Sequence, residues 1–149
     1  MPIKIRKVTK NDLAAVLALV NELAIYEKQP EAVTATLEDY QENFEAGVFD
    51  ILVATFDEKV VGMALYCTTW STWKGRMLYL EDFIVTNQHR QQGIGNLLFD
   101  QLIETAKQLK AKRIKWQVLE WNTPAIRFYE KYPTVFDKEW INGDLYLDV

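Results

Sequence analysis

The chain opens on an alternation, Ile3-Lys4-Ile5-Arg6, with the period of a half-buried strand. Thr9 followed by Asp12 is a capping box with Asp in place of Glu. Leu13, Val16, Leu17, Val20 and Ala24 then recur at helical spacing and predict a first amphipathic helix. Thr36 and Asp39 repeat the capping signal before a short second helix, with Gly47 as its stop. Strands are predicted from Phe49 to Phe56 and from Val60 to Thr69, joined at Asp57-Glu58-Lys59 as a hairpin, and again from Met77 to Val85. Gly93-Ile94-Gly95 opens a helix whose apolar face is Ile94, Leu97, Leu98, Leu102, Ala106 and Leu109. Arg113 to Leu119 reads as a strand. Thr123-Pro124 reads as a cap followed by proline at the first helical position. Asn142-Gly143 between apolar runs signals a final hairpin.

The expected order is β-α-α-β-β-β-α-β-α-β-β. Strand runs interrupted by single helices give an α/β (α+β) domain with a mixed, mostly antiparallel sheet flanked by helices. At 149 residues, one domain spanning 1–149 is expected. No long apolar run and no secretory signal are visible, so a cytoplasmic chain without a membrane span is expected. The net charge of −4 disfavours nucleic acid. Cys67 is the single cysteine and His89 the single histidine, so neither a disulfide nor a metal cluster is expected. Cys67 lies in an apolar run and reads as a small buried hydrophobe. His89 reads as a polar loop residue.

The chemistry concentrates where the strand ending at Val85 passes through a polar loop into Arg90-Gln91-Gln92-Gly93-Ile94-Gly95. The first turn of a helix carries unsatisfied amides and partial positive charge. Glycines let a phosphate approach those amides, and Arg90 adds a full charge. The pattern lacks the Lys and Ser/Thr of a nucleotide-triphosphatase loop and the third glycine of a dinucleotide fingerprint. On its own it suits either a diphosphate seat or a tight turn into a helix.

Arg90 to Gly95 resembles the acetyl-CoA pyrophosphate motif of the GCN5-related N-acetyltransferases, Q/R-x-x-G-x-G/A. Tyr79-Leu80-Glu81-Asp82-Phe83 resembles the fourth strand of the spermidine/spermine (diamine) branch. Glu120-Trp121-Asn122 with Pro124, Ile126, Phe128 and Tyr129 resembles its closing motif. Leu23-Ala24 with Tyr26-Glu27-Lys28 matches its first-helix exit, and Ser71 to Arg76 is most like the thialysine-type member. The resemblance implies that acetyl-CoA is the co-substrate, held by the amides of Gln91, Gln92, Gly93, Ile94 and Gly95 after Arg90. The pantetheine arm would pair with the backbone of Phe83 and Val85, in a slot made where that strand splays from the one at 113–119. Asn122 would stand near the CoA arm.

The same resemblance makes Tyr129 the acid that protonates the departing thiolate and Glu81 the group that receives the amine's proton. A protonated amine, with an ordinary pKa of about 10.4, needs such an acceptor before it can attack. Asp82, Glu27 and Trp73 would help bind the substrate, although neighbours on a strand face opposite sides unless a bulge intervenes. The expected activity is transfer of acetyl to a primary amine of a small cationic substrate, a diamine, polyamine or lysine-like amino acid. No metal is expected, and the branch is typically homodimeric. A non-catalytic acyl-CoA sensor and a protein N-acetyltransferase are the alternatives.

Overall fold

A computed structural model describes residues 2–147. The chain divides into two compact units, residues 1–117 and 118–149.

In the first unit, strand β1 (Ile3–Lys7) leads to helix α1 (Leu13–Tyr26) and helix α2 (Leu37–Glu45). Strands β2 (Asp50–Phe56), β3 (Lys59–Ser71) and β4 (Gly75–Val85) follow, then helix α3 (Ile94–Gln108) and the short strand β5 (Ile114–Lys115). The sheet order is β1-β2-β3-β4-β5. Pairs are antiparallel except β4–β5, which is parallel.

Local chemistry explains the elements. The Asp12 carboxylate accepts from the backbone N–H of Thr9 (2.7 Å) and from its hydroxyl (3.0 Å), and Arg6 grips the same carboxylate at 2.8 and 3.0 Å. Thr36 caps α2 reciprocally with Asp39. Gly47, at φ +74°, leads the chain out of α2 in the left-handed region that other residues avoid. Asp57 and Glu58, both at positive φ, form the two-residue turn between β2 and β3.

Alternation along the strands sorts the core onto two faces. Ile51, Val53, Met63, Leu65 and Ile84 pack with Leu13, Val16, Leu19 and Val20 of α1, backed by Leu37, Tyr40 and Phe44 of α2. Ala54 and Val61 pack with Ile94 of α3. A register shift between Ala54 and Thr55 moves Val61 onto the α3 side while Met63 stays on the α1 side.

Three sequence expectations need correction. The strand expected over 113–119 is two residues long; β4–β5 pairing stops at Tyr79↔Lys115, where β4 changes register at its next residues. In the second unit, helix α4 (Thr123–Glu130) is capped by Asn122, whose Oδ1 accepts from Ala125 N–H (3.4 Å), so Thr123 is the first helical residue and Pro124 the second. The two strands expected around Asn142-Gly143 are absent among the described residues. That segment has the alternation but no strand paired with it among the described residues, and Ile141 and Tyr146 stand 96% and 92% exposed. A strand without a neighbour leaves its hydrogen bonds to water and gains nothing from its pattern.

The Asp12 clasp sets a pH prediction. Its hydrogen bond with Arg6 lowers the carboxyl from 3.8 to about 2, against a smaller opposing effect of burial. A depressed folded value contributes stability above about pH 4 that is lost as pH falls toward 2. Urea melts of wild type and Asp12→Asn should therefore differ most near neutrality and converge toward pH 2. A gap independent of pH would refute the clasp.

Candidate active site

The site in the first unit is built on β4. Between β3 and β4 the register runs Leu65↔Asp82 and then Tyr66↔Leu80, leaving Glu81 as an extra residue on β4. This is a β-bulge, and it removes the strict alternation that would send neighbouring side chains to opposite faces. Glu81 and Asp82 both line one open cavity of about 320 Å³, together with Leu65, Phe49, Tyr40 and Asp39. Glu81 is exposed and Asp82 half-buried.

Burial, then the negative charges of Glu81 and Glu27, push the Asp82 carboxyl from 3.8 up to about 6. Glu27, where α1 stops, is half-buried, and burial raises its own pKa. The Tyr40 hydroxyl is also pushed up, by burial first and then by Asp82 and Glu81. Asp82 thus sits partly desolvated in the negative field of Glu81 and Glu27.

The bulge has a second effect. Past Tyr79 the outer edge of β4 has no strand beside it among the described residues. Thr86 N–H donates inward to Val61 O (2.8 Å), so by alternation Phe83 and Val85 turn their backbone groups to the open edge. The edge is floored by a chain of aromatic rings: Phe83 on Phe99 (5.7 Å, 77°) and Phe99 on Trp116 (5.7 Å, 88°).

At the end of that edge, the loop enters α3 through Gln91 (φ 64°) and Gly93 (φ 78°), both left-handed. Among the described residues no backbone carbonyl takes the amides of Gln91, Gln92 or Gly93. The N–H groups of Ile94 and Gly95 lie in the first turn of α3, where no helical partner exists. A Cβ on Gly93 would meet nothing within 4 Å, so the space over the loop is open. The Arg90 side chain is committed locally. Its Nε donates to Val85 O (2.9 Å), its Nη2 lies 3.6 Å from Glu22, and its guanidinium covers the Tyr26 ring at 5.4 Å.

In the second unit, Asn122 caps α4 and Tyr129 is buried on it. The Tyr129 ring meets Phe128 edge-on at 5.5 Å, and its carbonyl accepts from the Thr134 hydroxyl (2.7 Å).

The family model described as acetyltransferase (GNAT) family matches residues 13–132. The chain belongs to this family. The acetyltransferase is 32% identical over 123 residues to a thialysine N-epsilon-acetyltransferase of Caenorhabditis elegans, covering 83% of this chain and 77% of the relative. It is 33% identical to the enzyme of that name from Bos taurus, covering 86% and 81%. Its fold matches that of an aminoglycoside acetyltransferase from an uncultured soil metagenomic sample with a TM-score of 0.81, at 18% identity and over 98% and 97% of the two chains. It is an N-acetyltransferase, and the family draws its acetyl group from acetyl-CoA. The loop amides, the open space over Gly93 and the edge of β4 that no described strand flanks past Tyr79 fit such a co-substrate: donors for a diphosphate and a strand edge for an amide-bearing arm.

Of the residues singled out in the sequence, Glu81 and Asp82 line the acidic hollow, and the charge of Glu27 acts on Asp82. Phe83, Val85 and Arg90 to Gly95 line up along one edge and its loop. Trp73 does not join them. It is exposed at the tip of the β3–β4 hairpin, about 20 Å along β4 from Glu81 at the rise of a strand. Cys67 is half-buried on β3, its thiol pushed up by burial and by Glu81. His89 packs against Phe56 at 5.1 Å. Tyr40 escaped the sequence reading because α2 carries a core stripe of Leu37, Tyr40 and Phe44, and a stripe does not tell which member keeps a polar tip in a cavity, while Asp39 announced only its capping role.

The charges in the hollow are coupled, and this is measurable. Between 3.8 and about 6 the folded chain holds a proton on Asp82 that the unfolded chain has lost, so stability declines as pH rises across that window. Carbon-detected NMR titration should find Asp82 midway near 6, and Glu81→Gln should move it downward. An Asp82 midpoint unmoved by Glu81→Gln would show that the two carboxylates do not share the hollow.

Proposed function

We propose that this acetyltransferase moves acetyl from acetyl-CoA to a primary amine of a small cationic substrate, a diamine, polyamine or lysine-like amino acid. The observation that carries the reading is the bulge at Glu81, which turns two adjacent carboxylates into one hollow beside an open strand edge. The relatives named for thialysine support the choice of a lysine-like amine.

In this reading the acidic hollow draws in the substrate ammonium, which Glu81 and Asp82 hold by charge-assisted hydrogen bonds. A carboxyl near 6 is matched to taking a proton at neutral pH, so Asp82 joins Glu81 as acceptor. The freed nitrogen lone pair forms the new C–N bond to the thioester carbonyl carbon as the C–S bond breaks. Tyr129 gives its phenolic proton to the departing thiolate, and the proton then shed by the acylated nitrogen restores the phenol, leaving the acetamide, free CoA thiol and one proton on the carboxylates. The amides of Gln91 to Gly95 hold the diphosphate, and Phe83 and Val85 hold the pantetheine arm. Val85 O is already taken by Arg90, so the arm would pair with the Val85 N–H and with the backbone of Phe83. Asn122 serves the CoA arm by fixing the start of α4. The enzyme is taken to work in the cytoplasm as a homodimer, a reading supported by its resemblance to the diamine branch.

A thiol-release assay across diamines, spermidine, lysine, ornithine and thialysine tests this. Release is expected with at least one of them, and none above background with any amine would defeat the reading. Tyr129→Phe should lower kcat roughly a hundredfold while leaving acetyl-CoA binding near wild type. Unchanged turnover would take Tyr129 out of the acid role.

A further inference from the structure

Glu22 lies on α1, far in sequence from the loop that enters α3, yet its carboxylate is spent on that loop. Oε1 accepts from the Thr86 hydroxyl at 2.8 Å, and Oε2 accepts from the Asn87 backbone N–H at 2.9 Å. Oε2 also stands 3.6 Å from Arg90 Nη2. Arg90 is pinned from two further directions, by Val85 O and by the Tyr26 ring one turn after Glu22 on α1. The segment so held, Thr86 to Arg90, is the whole approach to Gln91. Gln91 sits at φ 64°, a conformation that costs a side-chain-bearing residue about 1 kcal/mol or more and persists only where its surroundings impose it.

We infer that Glu22 is a positioning residue for acetyl-CoA: it clamps the β4–α3 loop so that the strained turn at Gln91 and the amides after it are preset before the co-substrate arrives. The inference rests on the reading of that loop as the diphosphate seat. It also gives Arg90 a different task from the one its charge suggests. With its guanidinium on Glu22, Val85 O and Tyr26, Arg90 acts as the second strut of the clamp. Hydrogen bonds to an ionised carboxylate are roughly twice as strong as neutral ones, which suits a carboxylate rather than an amide at position 22. A seat ordered in advance spares the ligand the cost of ordering it, so the clamp acts on binding and not on the chemical step.

The experiment uses the full chain as wild type, Glu22→Ala and Glu22→Gln, with three readouts. The first is NMR exchange of the Asn87 amide with order parameters of residues 86–93, without ligand. The second is titration with acetyl-CoA, and the third is steady-state kinetics. Glu22→Ala should speed Asn87 exchange, lower the order parameters and weaken acetyl-CoA about tenfold, for the loss of hydrogen bonds to a charged group. Its kcat at saturating acetyl-CoA and its KM for the amine should stay within about twofold of wild type. Glu22→Gln, which keeps the shape and one acceptor, should recover part of both losses. Unchanged Asn87 exchange in Glu22→Ala would overturn the clamp. So would a loss spread equally over kcat and both KM values, which marks general damage. If the loop loosens yet acetyl-CoA binds as before, the positioning role is overturned. Whether acetyl-CoA perturbs the Gln91 to Gly95 amides of wild type then tells separately whether the loop is the seat.

Discussion

The extra residue at Glu81 is the constraint on which the arrangement turns. A regular β4 would send Glu81 and Asp82 to opposite faces of the sheet, one toward α1 and α2 and the other toward α3. The bulge brings both to one hollow, and burial, helped by the charges of Glu81 and Glu27, lifts Asp82 to about 6. It also coincides with the end of β4–β5 pairing, because a bulge bends its strand and strengthens the local twist. One irregularity thus accounts for the acidic pocket, the perturbed carboxyl and the open edge.

The rest of the first unit holds that irregularity in place. Leu65 and Ile84, on the strands flanking the bulge, are buried in the core shared with α1 and α2. On the opposite side Phe99 joins Phe83 of β4 to Trp116 just after β5, so the two strands stay tied although their backbones part. The loop beyond Val85 is held by groups on α1 as well as by its own turn and the Arg90 side chain. A rigid scaffold carrying a strained, open loop is the usual division of labour in a binding site.

Much of this was legible in the chain. The helical stripe from Leu13 to Ala24, the Thr36–Asp39 cap, the β2–β3 hairpin and the glycine-rich entry to α3 are local signals, and each formed where expected. What depended on distant partners was not legible. The bulge leaves no mark in composition, because Leu80-Glu81-Asp82-Phe83 reads as a strand whether or not one residue is unpaired. Arg90 announces a charge but not its contacts with Glu22 and Val85 O. Asn122 and Thr123 are both good caps, and the side chain that accepts from Ala125 decides between them. The alternation around Asn142-Gly143 promised strands that need a neighbouring ladder, and none is present among the described residues.

The most direct test of the central claim is an amide map of acetyl-CoA binding, recorded by NMR on isotopically labelled protein. The account places the changes at Phe83, Val85 and Gln91 to Gly95, along one continuous edge and loop. Changes confined instead to the hollow at the other end of the sheet, around Lys7, Asp50 and Thr105, would contradict it.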